Sequence, residues 1–478
     1  MAIPVLTVEQ MREWEKATWA TGQTEAEVIR RVGLAVAREA LVMTQPGELI
    51  LVLAGKGNNG ADARAARAHL AGRRVDFLEV KDPKSALSKL KALLSLRPSL
   101  VIDGLFGIGL SRPLDAEWVH LISGINEAGP PVLAVDVPSG LNADTGKPEP
   151  VAIRAAATIT VGAPKAGMLQ QEAWNHVGKL IVSGDVGLIP CPCQSEWSWM
   201  LVEDFRNYPP AREVGTHKGT YGHVALIAGS EGFHGAAVLA ARGAQRAQPG
   251  LITLLTMESV YQPVAAQLQA VMVSKWKAEM RLAEKHSAIM IGPGLAADTV
   301  PDNLREETSA LWRDCPLPVV VDASALSWLP AGAVPRNAIR CITPHPGEAA
   351  RLLNSTAQEI QKDRTKALRA LANKFGNTWV VLKGHETMIG RNRGPLFVNS
   401  TGNPCLAQGG SGDLLSGFLA GLLAQTELQK EPEQTLRYAV WQHGAAADRL
   451  QASGRKWVIE DLAEELGRNG AIPSGTRE

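Results

Sequence analysis

Cysteine is scarce: five in 478 residues, of which only Cys191 and Cys193 lie close together, as C-P-C in a proline-rich stretch. That is neither a zinc spacing nor a disulfide framework, so a reducing, cytoplasmic setting is expected. Aromatic residues make up 5% of the chain, and 12 of them are Trp against 7 Phe and 4 Tyr, which leaves Ala, Leu and Val to fill the core. Neither sign of charge prevails: 49 Lys+Arg face 48 Asp+Glu, a formal net charge of +1. This argues against a nucleic-acid partner and against an acidic disordered tail. No apolar run reaches the ~18 residues of a membrane span. The opening stretch MAIPVLTVEQMREWEKATWA mixes charges into its apolar residues, so neither a signal peptide nor a membrane partner is expected.

What is present is alternation. A chain of 478 residues exceeds one ordinary core, so two or three domains are expected. ELILVLAG, RRVDFLEV, SLVIDGLFG and PPVLAVDVPSG read as strands, with helical stretches such as GADARAARAHLAG and PKSALSKLKALLSL between them. Apolar strands without period-two alternation, separated by helices, predict a parallel α/β sheet covered on both faces. The stretch IPCPCQSEWSWMLVEDFRNYPPAREVG is rich in Pro and polar residues and reads as a linker, with the Trp residues of SEWSWM docking it in place. It puts a boundary near Ser195, between domains 1–195 and 196–478. Beyond it GHVALIAGS, GLITLLT, SAIMIGPGL and LPVVVDASAL restart the pattern. Both halves place their unusual residues just after strands, where ligands bind in open α/β sheets.

The most telling stretch is NPCLAQGGSGDLLSGFLAGLLA, from Asn403 to Ala424. Small residues precede Asp413, and an apolar helical run follows. A helix N-terminus carries unpaired N–H groups and a positive dipole end, and glycines let an anion approach the backbone. Phosphate, or the charge of a migrating phosphoryl group, suits that position. Asp413 would repel phosphate as ornament; its reading is a base that takes a proton from an attacking hydroxyl. A plain helix cap is the alternative. VVLKGHET adds Lys383 after a strand, and ITPHPGE adds His345 and Glu348 at a strand-to-helix turn.

HKGTYGHV, GPGL, TPHPGE, LKG and GNPCLAQGGSGD, in that order, resemble the ribokinase-like NAD(P)H-hydrate dehydratase family over roughly residues 201–466. The resemblance implies a ribokinase-like α/β domain. In it ADP or ATP, with Mg²⁺, phosphorylates the 6-hydroxyl of hydrated NADH or NADPH, and phosphate loss then restores the coenzyme. It implies nucleotide contacts at Lys383, Gly384, His385, Glu386, Thr387 and Gly412, and hydrate contacts at Ala236, Gly294, His345 and Asp413. One departure is local: the family's Ala-Gly pair reads Gln248-Pro249, and Pro restricts how the preceding helix ends.

In the first half, Gly55, Gly57 and Gly60 form G-x-G-x-x-G after a strand. Taken alone this reads as a dinucleotide fingerprint, with Glu79 as the ribose ligand, or as a bare tight turn. The motif's interior, Asn58, Asn59 and Asp62, argues against an ordinary dehydrogenase. Asn59, Asp103 and Ser139 offer one amide, one carboxylate and one hydroxyl from strand ends, a set suited to a hard monovalent cation.

GNNGAD, DGLFGIGL and VDVPSGL resemble the NAD(P)H-hydrate epimerase domain over roughly residues 6–188, which implies a Rossmann-like parallel α/β sandwich. The resemblance implies K⁺ held by Asn59, Asp103 and Ser139. It also implies hydrate contacts at Asn58, Asn59, Gly60, Ala61, Asp62, Gly107, Ile108, Gly109, Leu110, Ser111, Arg112, Pro113 and Asp136, with Asp136 the candidate for acid–base work. Here Ala61 and Ala63 replace family glycines; if either position needs φ > 0, each Ala costs ~1 kcal/mol. Arg30 and Arg31 interrupt an early helix of small apolar residues.

The expectation is therefore a two-domain repair enzyme acting on hydrated NADH and NADPH with ADP or ATP, as a homo-oligomer. The alternatives are a vitamin or sugar kinase of the ribokinase superfamily carrying a non-catalytic dinucleotide-binding domain, and a nucleotide sensor without turnover.

Overall fold

A computed structural model describes residues 2–110, 112–335 and 337–468. The contacts divide it into two compact units, one spanning Ile3–Glu196 and the other beginning at Trp197.

The first unit opens with α1 (Val8–Trp19), started by a capping box at Thr7, and α2 (Glu25–Met43). The chain then alternates: β1 (Leu49–Ala54), α3 (Asn58–Arg67), β2 (Arg74–Glu79), α4 (Pro83–Leu94), β3 (Leu100–Gly104), α5 (Ala116–Ala128), β4 (Val132–Val135), β5 (Ala157–Val161) and β6 (Lys179–Ser183). The sheet order is β2-β1-β3-β4-β5-β6, and every pairing is parallel. All six residues of β1 are buried, because each face has its own helical layer. Ile50, Val52 and Ala54 pack with Val32, Val36 and Ala66 on one side. Leu51 and Leu53 pack with Leu90, Leu121 and Ile125 on the other. The chain leaves β1 toward β2 on one side and later places β3 on the other, so the loops after β1 and β3 diverge and leave a crevice.

The second unit contains β7 (Trp197–Trp199), β8 (His223–Ile227), α6 (His234–Arg246), β9 (Leu251–Thr256), β10 (Met272–Lys275), β11 (Ala288–Ile291), β12 (Val319–Val321), β13 (Arg340–Ile342), α7 (Pro346–Leu353), α8 (Arg364–Lys374), β14 (Trp379–Leu382), β15 (Met388–Gly390), β16 (Leu396–Val398), α9 (Ser411–Leu423) and α10 (Pro432–Ala452). Its strand order is β10-β9-β8-β11-β12-β13-β14-β15-β16-β7. The run from β10 to β14 is parallel; β15 is antiparallel to both its neighbours. Here the order reverses between β8 and β11, which makes a second crevice.

The helix of the glycine loop, α9, lies against α6 through small residues. A Cβ on Gly417 would stand 1.9 Å from the Ala240 carbonyl oxygen, and one on Gly243 would stand 2.1 Å from that of Leu414. Larger residues would push α9 away from α6.

The stretch after Ser195 is not the linker expected of it. Trp197–Trp199 is strand β7, paired parallel to β16. Phe205 is 6% exposed and sits 5.1 Å, centroid to centroid, from Trp441 of α10. A three-residue strand and isolated anchoring aromatics have no period to detect, so proline content misled the reading.

Candidate active sites

In the first unit the glycines serve close approach rather than unusual φ. A Cβ on Gly60 would stand 2.1 Å from the Gly55 carbonyl oxygen, and one on Gly55 would stand 2.2 Å from that of Leu105. Gly57 caps α3 without a side-chain bond, so the first-turn amides stay open.

Three polar residues converge behind this turn. Asp103 is fully buried; its carboxylate accepts from the Ser139 hydroxyl at 2.6 Å, the Ser139 N–H at 2.9 Å and the Leu105 N–H at 3.2 Å. Burial pushes its pKa up to about 6 against the pull of those bonds. The Asn59 amide donates to the Phe106 carbonyl at 2.6 Å, which the Ser139 hydroxyl also approaches at 3.3 Å. The Asn59 Oδ1 is buried without a partner. A buried, orphaned amide oxygen beside one carboxylate and one hydroxyl is a set that a monovalent cation would satisfy.

Asp136 follows β4 in a left-handed conformation, φ 65°. Its Oδ1 accepts from the Lys165 ammonium at 2.5 Å, the Val161 N–H at 3.2 Å and the Thr160 hydroxyl at 3.3 Å. Lys165 is wholly buried and also donates to Thr160 Oγ1 at 2.8 Å and the Val161 carbonyl at 3.0 Å. Asp62, 7% exposed, has no hydrogen-bond or ion-pair partner among the described residues. Burial, then the charges of Asp136, Glu15 and Glu25, push its pKa to about 8. Burial, followed by the charge of Asp136, also raises Glu15.

Asn58, Asn59, Asp62, Gly107, Ile108, Gly109, Leu110, Asp136, Lys165, Glu15 and Glu25 line one cleft of about 570 Å³. Gly60, Ala61, Arg112 and Pro113 do not line it, and Ser111 lies outside the described residues. Gly60 and Ala61 instead form the first turn of α3. The strain expected of Ala61 and Ala63 is absent: both are helical, and neither has positive φ. Arg30 and Arg31 do not intrude either; both pair with Glu27 at 2.8 Å. Glu79 pairs with Lys81 at 3.2 Å and Arg64 at 3.6 Å and lies off the cleft, so the dehydrogenase-type reading fails.

In the second unit, Gly410 caps α9 with φ 94° and no side-chain bond; the Ser411 N–H donates to the Gln408 carbonyl at 3.4 Å, while those of Gly412 and Asp413 stay open. A Cβ on Gly412 would stand 3.1 Å from the Lys383 ammonium. Lys383 does not pair with Asp413. It donates to Asp322 Oδ1 at 2.8 Å and lies 3.9 Å from Glu348 Oε2. Burial works against its charge, but Asp322, Glu348 and Asp413 outweigh that and raise its pKa. The Asp413 carboxyl has no hydrogen-bond partner among the described residues. Burial, then the charge of Asp322, pushes it up to about 7, with Lys383 opposing and Glu348 adding. A carboxyl near half-ionised at neutral pH, beside an ammonium and open amides, can accept a proton while an anion sits next to it.

His345 caps α7. Its Nδ1 accepts from the Gly347 N–H at 3.0 Å and the Glu348 N–H at 3.3 Å, so in the neutral ring Nε2 carries the proton. Burial lowers its pKa. Gly294, φ 67°, packs on Ala236: a Cβ there would stand 3.0 Å from that of Ala236. Two residues earlier, a Cβ on Gly292 would overlap the Asp322 carbonyl oxygen at 1.8 Å, which joins this patch to the carboxylate cluster. Lys383, Gly384, His385, Glu386 and Thr387 form one turn after β14, with φ 134° at Gly384 and 52° at Glu386.

Sequence reasoning missed Lys165, Thr160, Glu15 and Arg364. Lys165 had a usable signal, a lysine just beyond a strand end. Arg364, at the start of a charged helix, had none.

Residues 224–469 match the family model described as NAD(P)H-hydrate dehydratase; residues 25–91 and 78–167 match that described as YjeF-related protein N-terminus. The chain is 34% identical over 484 residues to the bifunctional NAD(P)H-hydrate repair enzyme Nnr of Coxiella burnetii, covering 96% of this chain and 97% of that one. It is likewise 34% identical over 520 residues to the enzyme of that name from Gloeobacter violaceus, covering 99% and 98%. A ribokinase-like superfamily protein of Enterococcus faecalis shares the fold, with TM-score 0.51 and 24% identity over 58% of this chain and 97% of that one. An ADP/ATP-dependent NAD(P)H-hydrate dehydratase from Bacillus subtilis is 33% identical over 54% of this chain and 91% of its own, with TM-score 0.47.

Proposed function

The chain belongs to the family of bifunctional NAD(P)H-hydrate repair enzymes, and from that premise we propose how its two sites divide the repair. The first unit interconverts the R and S epimers of hydrated NADH and NADPH. The second converts the S hydrate back to the reduced coenzyme, with ADP or ATP supplying a phosphoryl group.

In the second unit Asp413 takes the proton of the 6-hydroxyl as that oxygen attacks the terminal phosphorus and the bond to the bridging oxygen breaks, releasing AMP from ADP or ADP from ATP. The open amides of α9 and the Lys383 ammonium hold the negative charge that develops on the phosphoryl oxygens. The C6–O bond of the phosphate ester then breaks, phosphate leaving with the bonding pair with help from the ring nitrogen's lone pair, and loss of a C5 proton forms the C5=C6 double bond of the reduced coenzyme. Hydroxide would leave poorly; phosphate leaves well. No group of three His, Cys, Asp or Glu side chains that could hold a metal occurs among the described residues, so Mg²⁺ fits as an ion carried by the nucleotide phosphates.

In the first unit Asn59, with its orphaned Oδ1, Asp103 and Ser139 would hold K⁺, which supplies a fixed positive charge beside the hydrate's polar groups. Asp136, aimed by Lys165, exchanges the proton that the inversion at C6 requires.

The observation that supports this reading most is the unpartnered Asp413 carboxyl, poised near neutrality, at an open helix end beside Lys383. Incubating the purified chain with S hydrate and ADP or ATP tests it. Inorganic phosphate and the absorbance of the reduced coenzyme should rise together. A stable phosphorylated product without coenzyme would make the second unit a simple kinase. With R hydrate, turnover should outpace spontaneous epimerisation; equal rates would remove the first activity.

A further inference from the structure

Arg364, at the first turn of α8, is 8% exposed and forms no hydrogen bond with a carboxylate. Its guanidinium instead donates to three carbonyls of one short turn: Leu382 at 3.1 Å, His385 at 2.5 Å and Glu386 at 3.2 Å. This is the turn that carries Lys383, Gly384, His385, Glu386 and Thr387, which the resemblance assigns to the nucleotide. The turn is not one the chain adopts freely, since Glu386 sits at φ 52°, a left-handed conformation that costs a non-glycine residue ~1 kcal/mol or more. Thr387 Oγ1 ties it across to the Gly384 carbonyl at 3.1 Å, but three of its own carbonyls depend on Arg364.

The N–H and C=O of a trans peptide point in opposite directions. Drawing the His385 and Glu386 carbonyls inward onto Arg364 therefore turns the N–H groups of Glu386 and Thr387 outward. Neither donates to another group among the described residues. A buried cation on the carbonyl side also polarises those peptides and strengthens the amides as donors. Successive outward amides make a concavity suited to an anion.

We propose that Arg364 is a positioning residue for the nucleoside di- or triphosphate: by gripping the carbonyls of the 382–386 turn it presents the Glu386 and Thr387 amides to the nucleotide. It touches neither hydrate nor phosphoryl group. This deepens the nucleotide assignment made above and rests on it.

Arg364→Lys keeps the charge but loses the planar fork that reaches three carbonyls; Arg364→Gln loses the charge and keeps fewer donors. Either suffices as a test in the full chain, with kcat at saturating nucleotide as the check that the second unit is folded. The KM for ADP or ATP should rise about tenfold or more, as expected when charge-assisted bonds that shape a site are lost. At saturating nucleotide kcat should stay within about threefold, and the KM for hydrate should not move. The rise in Tm that the nucleotide gives the wild type should shrink in parallel. An unchanged nucleotide KM overturns the proposal, as does a fall in kcat with hydrate KM rising equally. If the wild type itself needs no nucleotide, the function proposed for the second unit fails instead.

Discussion

Each unit sets a lysine among carboxylates at the strand ends of an α/β sheet, yet the two pair it oppositely. In the first, Lys165 is wholly buried and bonded straight to Asp136 at 2.5 Å, the carboxylate proposed to move the proton, while Asp62 nearby is pushed to about 8. In the second, Lys383 is bonded to Asp322 at 2.8 Å, and Asp413, the carboxylate proposed to take the proton, has no hydrogen-bond partner among the described residues. An epimerisation must give back the proton it takes, and the ammonium bonded to Asp136 favours that release by stabilising the ionised carboxylate. Phosphoryl transfer needs a carboxylate that gains a proton and an ammonium kept for phosphate. Tethering Lys383 to a third residue separates those duties.

The comparison breaks or holds most visibly at Asp413. Asp413→Asn should lower dehydration of the S hydrate by ~10³-fold or more, the upper range for losing a general base, with epimerisation of the R hydrate unchanged in the same preparation. If both activities fall together, the two sites are not independent.

Next in size is Asp322→Asn. The Asp322 charge helps hold Asp413 high, so removing it should lower that pKa. A base must be ionised to take a proton, so with Asp413 as that base kcat should rise with pH through about 7 in the wild type, and in the variant the rise should move to lower pH. Its plateau should drop by about tenfold because Lys383 loses its tether. A rise that stays put or moves up would mean that Asp322 does not act on Asp413.

A smaller effect separates Asp62 from the paired Asp136. The Asp62 pKa is raised on folding, so between the ordinary carboxylate range and about pH 8 the native state holds a proton that the unfolded chain has released. Stability must then fall as pH rises through that window. Asp62→Asn should remove this slope and raise the unfolding midpoint above pH 8, by an amount corresponding to ~1–2 kcal/mol. A variant less stable than wild type at that pH would contradict it.

The sequence made the architecture legible because two-sided burial writes itself as unbroken apolar strands, as in β1 with all six residues covered. It made the strand-end residues legible too, since topology alone carries Asn59, Asp103 and Asp136, or Asp322, His345 and Lys383, to one edge. Pairing within a cluster was not legible. Which carboxylate Lys383 meets depends on the rotamer and seating of α9, which small residues on α6 fix from across the fold. Lys165 and Arg364 act from a loop and a helix whose local sequences look ordinary, and the linker reading failed because a three-residue strand has no period.

The smallest effect puts one replacement into both units and expects opposite signs. Ala61 stands where family glycines occur, but it is helical, so glycine gains no permitted conformation there and only adds unfolded-chain entropy. Ala61→Gly should destabilise the first unit by ~0.5–1 kcal/mol without raising epimerisation. Gln248 is different: the chain leaves α6 through it at φ 56°, just before Pro249, the left-handed position that glycine fills best at a helix end. Gln248→Gly should stabilise the second unit by ~0.5–1 kcal/mol, because relief of the left-handed penalty exceeds the added chain entropy. Calorimetry of the whole chain can read both changes, since the transition that shifts with added nucleotide identifies the second unit. Equal signs would mean that backbone conformation at these two departures is not what distinguishes them.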